Sequence, residues 1–243
     1  MSGRRNALFF GWTLALAAMA LFAWLGHWQL GRMHEKQAML DAVQAVLAQR
    51  HAQPLASAGD ASRQLGYDWA AGEGDFVAAP AVLLDNQQRE GRSGVRVYRL
   101  FQPVSGAKPL LVELGWLPLS GDRQMPAVAT PQGRLRLEGL LLPPPSPGIG
   151  ASPLQTQADG NLLAVSLDMP ALQTALRSPA IAVRILRPDP DAKIGYARDL
   201  DVLPNTLPPE QHLGYAVQWF ALSLAVLVTA LVLTFRKKKK PRP

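Results

Sequence analysis

Two stretches of the chain are apolar without interruption, and the residues between them mostly alternate. Residues 8–27 contain no Asp, Glu, Lys or Arg, and residues 213–235 repeat that over 23 positions. Twenty helical residues at about 1.5 Å rise cover roughly 30 Å, the thickness of a bilayer's hydrocarbon core. The pattern predicts two membrane-spanning helices, over 8–28 and 213–235. The first has an alternative in a cleaved signal peptide, because Arg4 and Arg5 precede it and Ala18-Met19-Ala20 is similar to a cleavage site. The apolar run continues through Leu21, Phe22, Trp24 and Leu25 to Trp28, which favours a retained anchor.

Beyond the first span, Met33, Lys36, Met39, Leu40, Val43, Val46 and Leu47 recur at three- and four-residue steps, so the helix is expected to run on as an amphipathic segment to about Gln49. A Gly/Ala/Ser-rich stretch at 54–62 follows. Strands are then predicted over 76–84, 95–104, 110–117, 134–142, 162–167 and 181–187. Residues 95–100 (VRVYRL) and 134–140 (RLRLEGL) alternate with a period of two, as half-buried antiparallel strands do. The proline-rich run 143–150 lacks most of its amide donors and reads as an exposed loop. Asp168 is placed to cap a short helix through Arg177, with Pro170 in its first turn. The expected fold is a β-rich, α+β domain, an antiparallel sandwich or open barrel, flanked by two transmembrane helices.

Charge fixes the expected orientation. The formal net charge is +7, from 25 basic and 18 acidic residues. Eight of the cations lie in the tails: Arg4, Arg5, Arg236, Lys237 to Lys240 and Arg242. The remaining body holds 17 basic against 18 acidic residues, so no basic face for nucleic acid is expected. Cationic tails outside apolar spans follow the positive-inside rule. Residues 1–7 and 236–243 are therefore expected in the cytoplasm and 29–212 on the periplasmic side. A leader of seven residues does not suit a mitochondrial transit peptide, and a bacterial inner membrane is preferred. With no cysteine, disulfides and thiolate metal sites are excluded.

No HExxH, Walker loop, GxGxxG or GxSxG signature occurs, and the paired acids Glu73/Asp75 and Asp189/Asp191 lie in Gly- and Pro-rich surroundings, so no enzyme is expected. Two of the four histidines flank the spans. His27 closes the first and His212 opens the second, and in antiparallel helices both reach one interface. Neutral imidazole is a good axial ligand for haem iron, and apolar helices suit a flat macrocycle. The alternative is two interfacial histidines hydrated by water and headgroups. Tyr215 and Trp219 lie three and seven residues beyond His212, on a broad shared face that can line such a ring. Trp28, Gln29 and Arg32 are expected to form a membrane-edge contact, the Trp among headgroups or against the second span, the Arg on a haem propionate or a lipid phosphate.

The residues from Gly26 to Lys36 (GHWQLGRMHEK) resemble the G-x-W-Q-x-x-R-x-x-x-K signature of the surfeit locus protein 1 family, assembly factors of cytochrome c oxidase. Residues 212–220 (HLGYAVQWF) resemble that family's H-L-x-Y-A-x-x-W-F opening of the second span. Gly115-Trp116-Leu117-Pro118 is similar to its G-W-x-P strand end, and Asp85-Asn86 with Gly91 and Gly94 suits the preceding hairpin. Where the family commonly reads N-R-G-W, this chain has Glu113-Leu114-Gly115-Trp116. The resemblance implies a protein that assists insertion of haem a into the catalytic subunit of a haem-copper oxidase, without turnover, with haem near His212. The rival reading is a membrane-tethered periplasmic scaffold that binds no haem. A membrane-linked hydrolase ranks behind both.

Overall fold

The computed structural model describes residues 2–145, 153–203 and 206–236. Among these residues the α-helices are α1 (Ser2–Gln49), α2 (Met169–Ala175) and α3 (Pro209–Phe235). The chain divides into two units, residues 1–40 with 206–243, and residues 41–205.

In the first unit, α1 and α3 are both long and apolar enough to cross a membrane. They touch through a single stripe. The Ser223 hydroxyl donates to the Met19 carbonyl at 3.2 Å, and the Phe22 and Trp219 rings lie 5.6 Å apart. A Cβ on Gly26 would fall 2.8 Å from the Phe220 ring, so only glycine admits that ring. Nearer the termini the Trp12 indole N–H donates to the Thr234 hydroxyl at 3.0 Å. That bond gives the indole a partner where lipid supplies none. Most other apolar side chains on both helices face outward, Phe9, Leu14, Trp24, Val217 and Leu224 among them. A lipid-facing pair needs that pattern.

Among the described residues the second unit has nine strands: β1 (Gln53–Pro54), β2 (Asp68–Phe76), β3 (Val82–Arg89), β4 (Arg92–Pro103), β5 (Leu110–Pro118), β6 (Leu135–Leu142), β7 (Gln155–Thr156), β8 (Leu162–Ala164) and β9 (Ile185–Pro188). They form one mixed sheet in the order β1-β2-β6-β9-β5-β4-β3-β8-β7, and β2 also pairs with β4. That extra pairing closes β2, β6, β9, β5 and β4 into a ring. Of the two β-rich architectures expected, the barrel is the one formed. Its pairing is not purely antiparallel, since β1–β2, β3–β8 and β5–β9 run parallel.

The long strands are buried on both faces. On β4, Val95, Val97 and Phe101 enter one core layer with Val112, Leu114 and Leu186. Tyr98 and Leu100 enter the other, which is covered by Leu172 and Leu176 beside α2 and by Val43, Val46 and Leu47 from the last turns of α1. The amphipathic continuation of α1 thus ends at Gln49 as its spacing predicts, its apolar side closing this core. The side chain of Asp168 caps α2 by accepting from the Ala171 amide, and α2 stops at Ala175, two residues short of the expectation.

The strand expected over 76–84 is in fact the end of β2 and the start of β3, separated by Val77 to Ala81. Most of β2 was not expected because it is poor in large apolar residues. The reason is steric: a Cβ on Gly72 would meet Leu55 at 2.9 Å, and one on Gly74 would strike the Phe101 ring and the Gln102 carbonyl. The strand must be small where its neighbours press on it. Residues 143–145 are irregular, and the rest of the expected proline-rich loop lies at 146–150, outside the described residues.

Candidate functional site

Helical geometry gives the first unit its polar face. Gln29, Arg32 and Lys36 are spaced by three and four residues, so they continue along α1 the stripe that Met19, Phe22 and Gly26 turn toward α3. On α3, His212, Ala216 and Trp219 form the matching stripe. His212 and Ala216 are buried, at 8% and 1% exposure. The two stripes meet where the His212 Nδ1 lies 2.7 Å from the Gln29 Oε1. Arg32 pairs with Glu35 at 2.5 Å on the same helix and stays partly exposed. Arg32 and Lys36 both act electrostatically on His212. A buried imidazole therefore sits against an amide on one side, with two cations within electrostatic reach and the Phe22–Trp219 pair two turns away along α3.

The six residues singled out from sequence separate into two groups. His212, Trp219 and Arg32 belong to the stripes just described. His27 is exposed and lies two residues from Gln29, about 200° round α1, so it is not brought to His212. Trp28 is 50% exposed and Tyr215 41%, and both turn away from the α1–α3 seam. The contact of Gln29 with His212 was not foreseen, although the signal was present in the 29, 32, 36 spacing. An apolar cleft of about 510 Å³ also separates the two helices, lined by Gly11, Trp12, Ala15 and Ala18 of α1 and by Ala225 and Val226 of α3. Its nearest lining residue on α1, Ala18, is 11 residues or about 17 Å along the helix from Gln29, so it is not part of the imidazole's surroundings.

The second unit contains a buried ionic cluster that alternation concealed. Glu113 on β5 is fully buried and accepts from Arg96 Nη1 at 2.5 Å, Arg187 Nη2 at 2.9 Å and the Tyr98 hydroxyl at 3.1 Å. Arg187 also donates to the Asp201 carbonyl. Burial alone would raise the Glu113 pKa, but the charges of Arg187 and Arg96 outweigh it and hold the carboxyl below its ordinary value. Burial, then the Glu113 charge, pushes the Tyr98 hydroxyl well above its own. A second pair, Arg184 with Asp68 at 2.5 Å, is equally enclosed. The charges pair with one another, although the buried Nε atoms of Arg96, Arg184 and Arg187 have no hydrogen-bond partner.

The remaining motif residues also shape the fold. Gly115 has φ +119°, and a Cβ there would lie 2.7 Å from the Tyr196 carbonyl. The register between β4 and β5 shifts at this point, which puts Glu113 opposite Tyr98. Trp116 lies over Gly94, whose Cβ would collide with the indole, and its N–H donates to the Gln87 carbonyl at 3.2 Å. Asp85 accepts from the Asn86 amide at 2.7 Å and pairs with Arg123 at 2.7 Å. Leu114, where the arginine of the family pattern is missing, is fully buried among apolar side chains, so this chain has no place for a charge there.

Among the described residues no group of three or more His, Asp or Glu could hold a metal ion. A comparison with protein-family models matches residues 16–224 to the SURF1 family, a match that takes in both helical stripes and the whole β-unit. No curated protein matches the chain.

Proposed function

The chain belongs to the SURF1 family, a family of cytochrome oxidase assembly factors, and from that premise we propose that it holds haem a at His212 and assists its insertion into the catalytic subunit of a haem-copper oxidase. The observation that carries this reading is the buried imidazole of His212. One ring nitrogen faces Gln29, and the other, Nε2, has no partner among the described residues. A bare imidazole nitrogen at the end of an apolar helix pair is a suitable axial ligand. The Arg32 and Lys36 cations, which act on the imidazole from α1, suit the propionates that a haem carries. Haem would supply the iron, His212 would supply a ligand to it, and Arg32 and Lys36 would supply the neutralising charge. Release to the oxidase follows if the oxidase binds the same haem more tightly, since only differential affinity gives transfer a direction.

The test is co-purification. Full-length protein extracted from cells that make haem a should carry a Soret band and retain an oxidase subunit. Protein that co-purifies with the subunit yet shows no Soret band in any preparation favours the scaffold reading instead.

The same proposal places both tails in the cytoplasm and residues 29–212 in the periplasm of a bacterial inner membrane, because the Lys/Arg runs lie outside both apolar segments. A reporter fused at Gln157 should then be active only if it requires the periplasm. Activity from a cytoplasm-requiring reporter at that position would reverse the orientation and remove the assigned partner.

A further inference from the structure

Gln29 of α1 faces the His212 ring from the opposite helix. Its Oε1, not its amide nitrogen, lies 2.7 Å from His212 Nδ1. An amide oxygen can only accept, so the bond forms only if Nδ1 carries the proton. We propose that Gln29 is the positioning residue of His212: by accepting from Nδ1–H it holds the imidazole in the tautomer whose Nε2 lone pair is free, and fixes the direction in which that lone pair points.

This rests on the reading of His212 as a haem ligand, and it deepens that reading by a specific requirement. A histidine that ligates through Nε2 is oriented by an acceptor on Nδ1–H, and the acceptor also makes the ring a stronger donor. The acceptor here comes from the other helix of the unit. Gln29 is on α1 and His212 in the first turn of α3. The ring is thus tied across the helix pair in the first turn of α3, where the Gln211 and His212 amides already bond to the Pro208 carbonyl. Gly26, one turn before Gln29, also lets the Phe220 ring of α3 approach α1 closely.

The state of the ring can be measured without haem. Full-length protein labelled with ¹⁵N-histidine, in micelles at about pH 8 where imidazole is neutral, contains four histidines, and His212→Ala identifies the signal of interest. Nδ1 of His212 should appear as the protonated, pyrrole-type nitrogen and Nε2 as the bare, pyridine-type one. The Gln29→Glu protein keeps an acceptor and should keep this tautomer. Gln29→Leu should give a mixture, and its affinity for added ferric haem, followed at the Soret band, should fall by about 10–100-fold. The haem bound by Gln29→Glu should have a more negative reduction potential than in the parent protein, because a carboxylate makes the ring more electron-rich. A His212 ring protonated at Nε2 in the parent protein overturns the proposal without reference to any variant. So does a Gln29→Leu protein with unchanged tautomer and affinity, or a Gln29→Glu protein that binds haem as poorly as Gln29→Leu. If the tautomer is as proposed but His212→Ala retains all its haem, the haem assignment fails while the role of Gln29 toward the ring stands.

Discussion

Replacing Glu113 by glutamine should cost the β-unit about 3–5 kcal/mol, the usual consequence of removing one member of a buried charged group. Glu113 is fully buried and is the one carboxylate bonded to Arg96, Arg187 and Tyr98. Both arginines are almost as enclosed, at 6% and 1% exposure. Glutamine preserves the shape but removes the carboxylate bonded to both guanidinium groups, leaving Arg187 only the more distant charge of Asp199. A loss of that size is a large fraction of a domain's stability. It would show as a lowered denaturation midpoint of the full-length protein in micelles, read from near-ultraviolet circular dichroism. A midpoint within error of the parent would mean that the arginines find other partners. The pH dependence has a definite sign. The carboxyl's folded pKa lies below its ordinary value of 4.5, so its contribution is fully present above that value and is lost as pH falls through the folded pKa. The Tyr98 pKa is raised well above 10.0, so the unfolded chain loses that proton first and stability declines once pH rises past about 10. Glu113→Gln should flatten the acid limb and also weaken the alkaline limb, because part of the upward shift of Tyr98 comes from the Glu113 charge.

Replacing His212 by alanine should remove most bound haem, lowering affinity by at least the roughly 100-fold that loss of an orienting partner alone can cause. Assembled oxidase should fall with it. The protein itself should remain in the membrane, since the substitution removes one hydrogen bond, with Gln29, worth about 0.5–1.5 kcal/mol. Alanine also suits a helix better than histidine does. His27→Ala is the control. Its ring is exposed on the other side of α1 from Gln29, and the haem spectrum should not change. A His212→Ala protein with full haem and an unaltered spectrum would reject the ligand assignment and make the scaffold reading the better one.

The sequence by itself determined the features that depend on one dimension of the chain. Two uncharged runs flanked by cations define two spanning helices, and the 33–47 periodicity defines the continuation of α1, because helix length and amphipathicity are counted along the chain. The strands richest in β-branched and large apolar residues were legible for the same reason. His212 and Gln29 could be named from their motifs, but they are 183 positions apart, and only the packing of α3 against α1 decides that they share a hydrogen bond. The same packing leaves His27 outside the seam, although proximity in depth suggested otherwise.

Tertiary structure also decided where the arginines go. Alternation over residues 95–100 predicts a half-buried strand, yet both arginines in it, Arg96 and Arg99, are only 6% and 5% exposed. A strand pattern records which residues alternate, not whether the second face is covered, and here α2 and the last turns of α1 help to cover it. Burial of those charges is tolerated only because Glu113 and the carbonyls of Ala79 and Val128 reach them from distant parts of the chain. The strand β2 was hidden for a related reason. Its glycines look like loop residues in sequence, and only contact with Leu55 and Phe101 makes smallness at those positions a requirement for the sheet. Periodicity and charge are properties of neighbours in the chain, whereas desolvation, pairing and close approach are properties of neighbours in space. The first set marked the two long apolar helices, and the second fixed the barrel and the face that His212 presents.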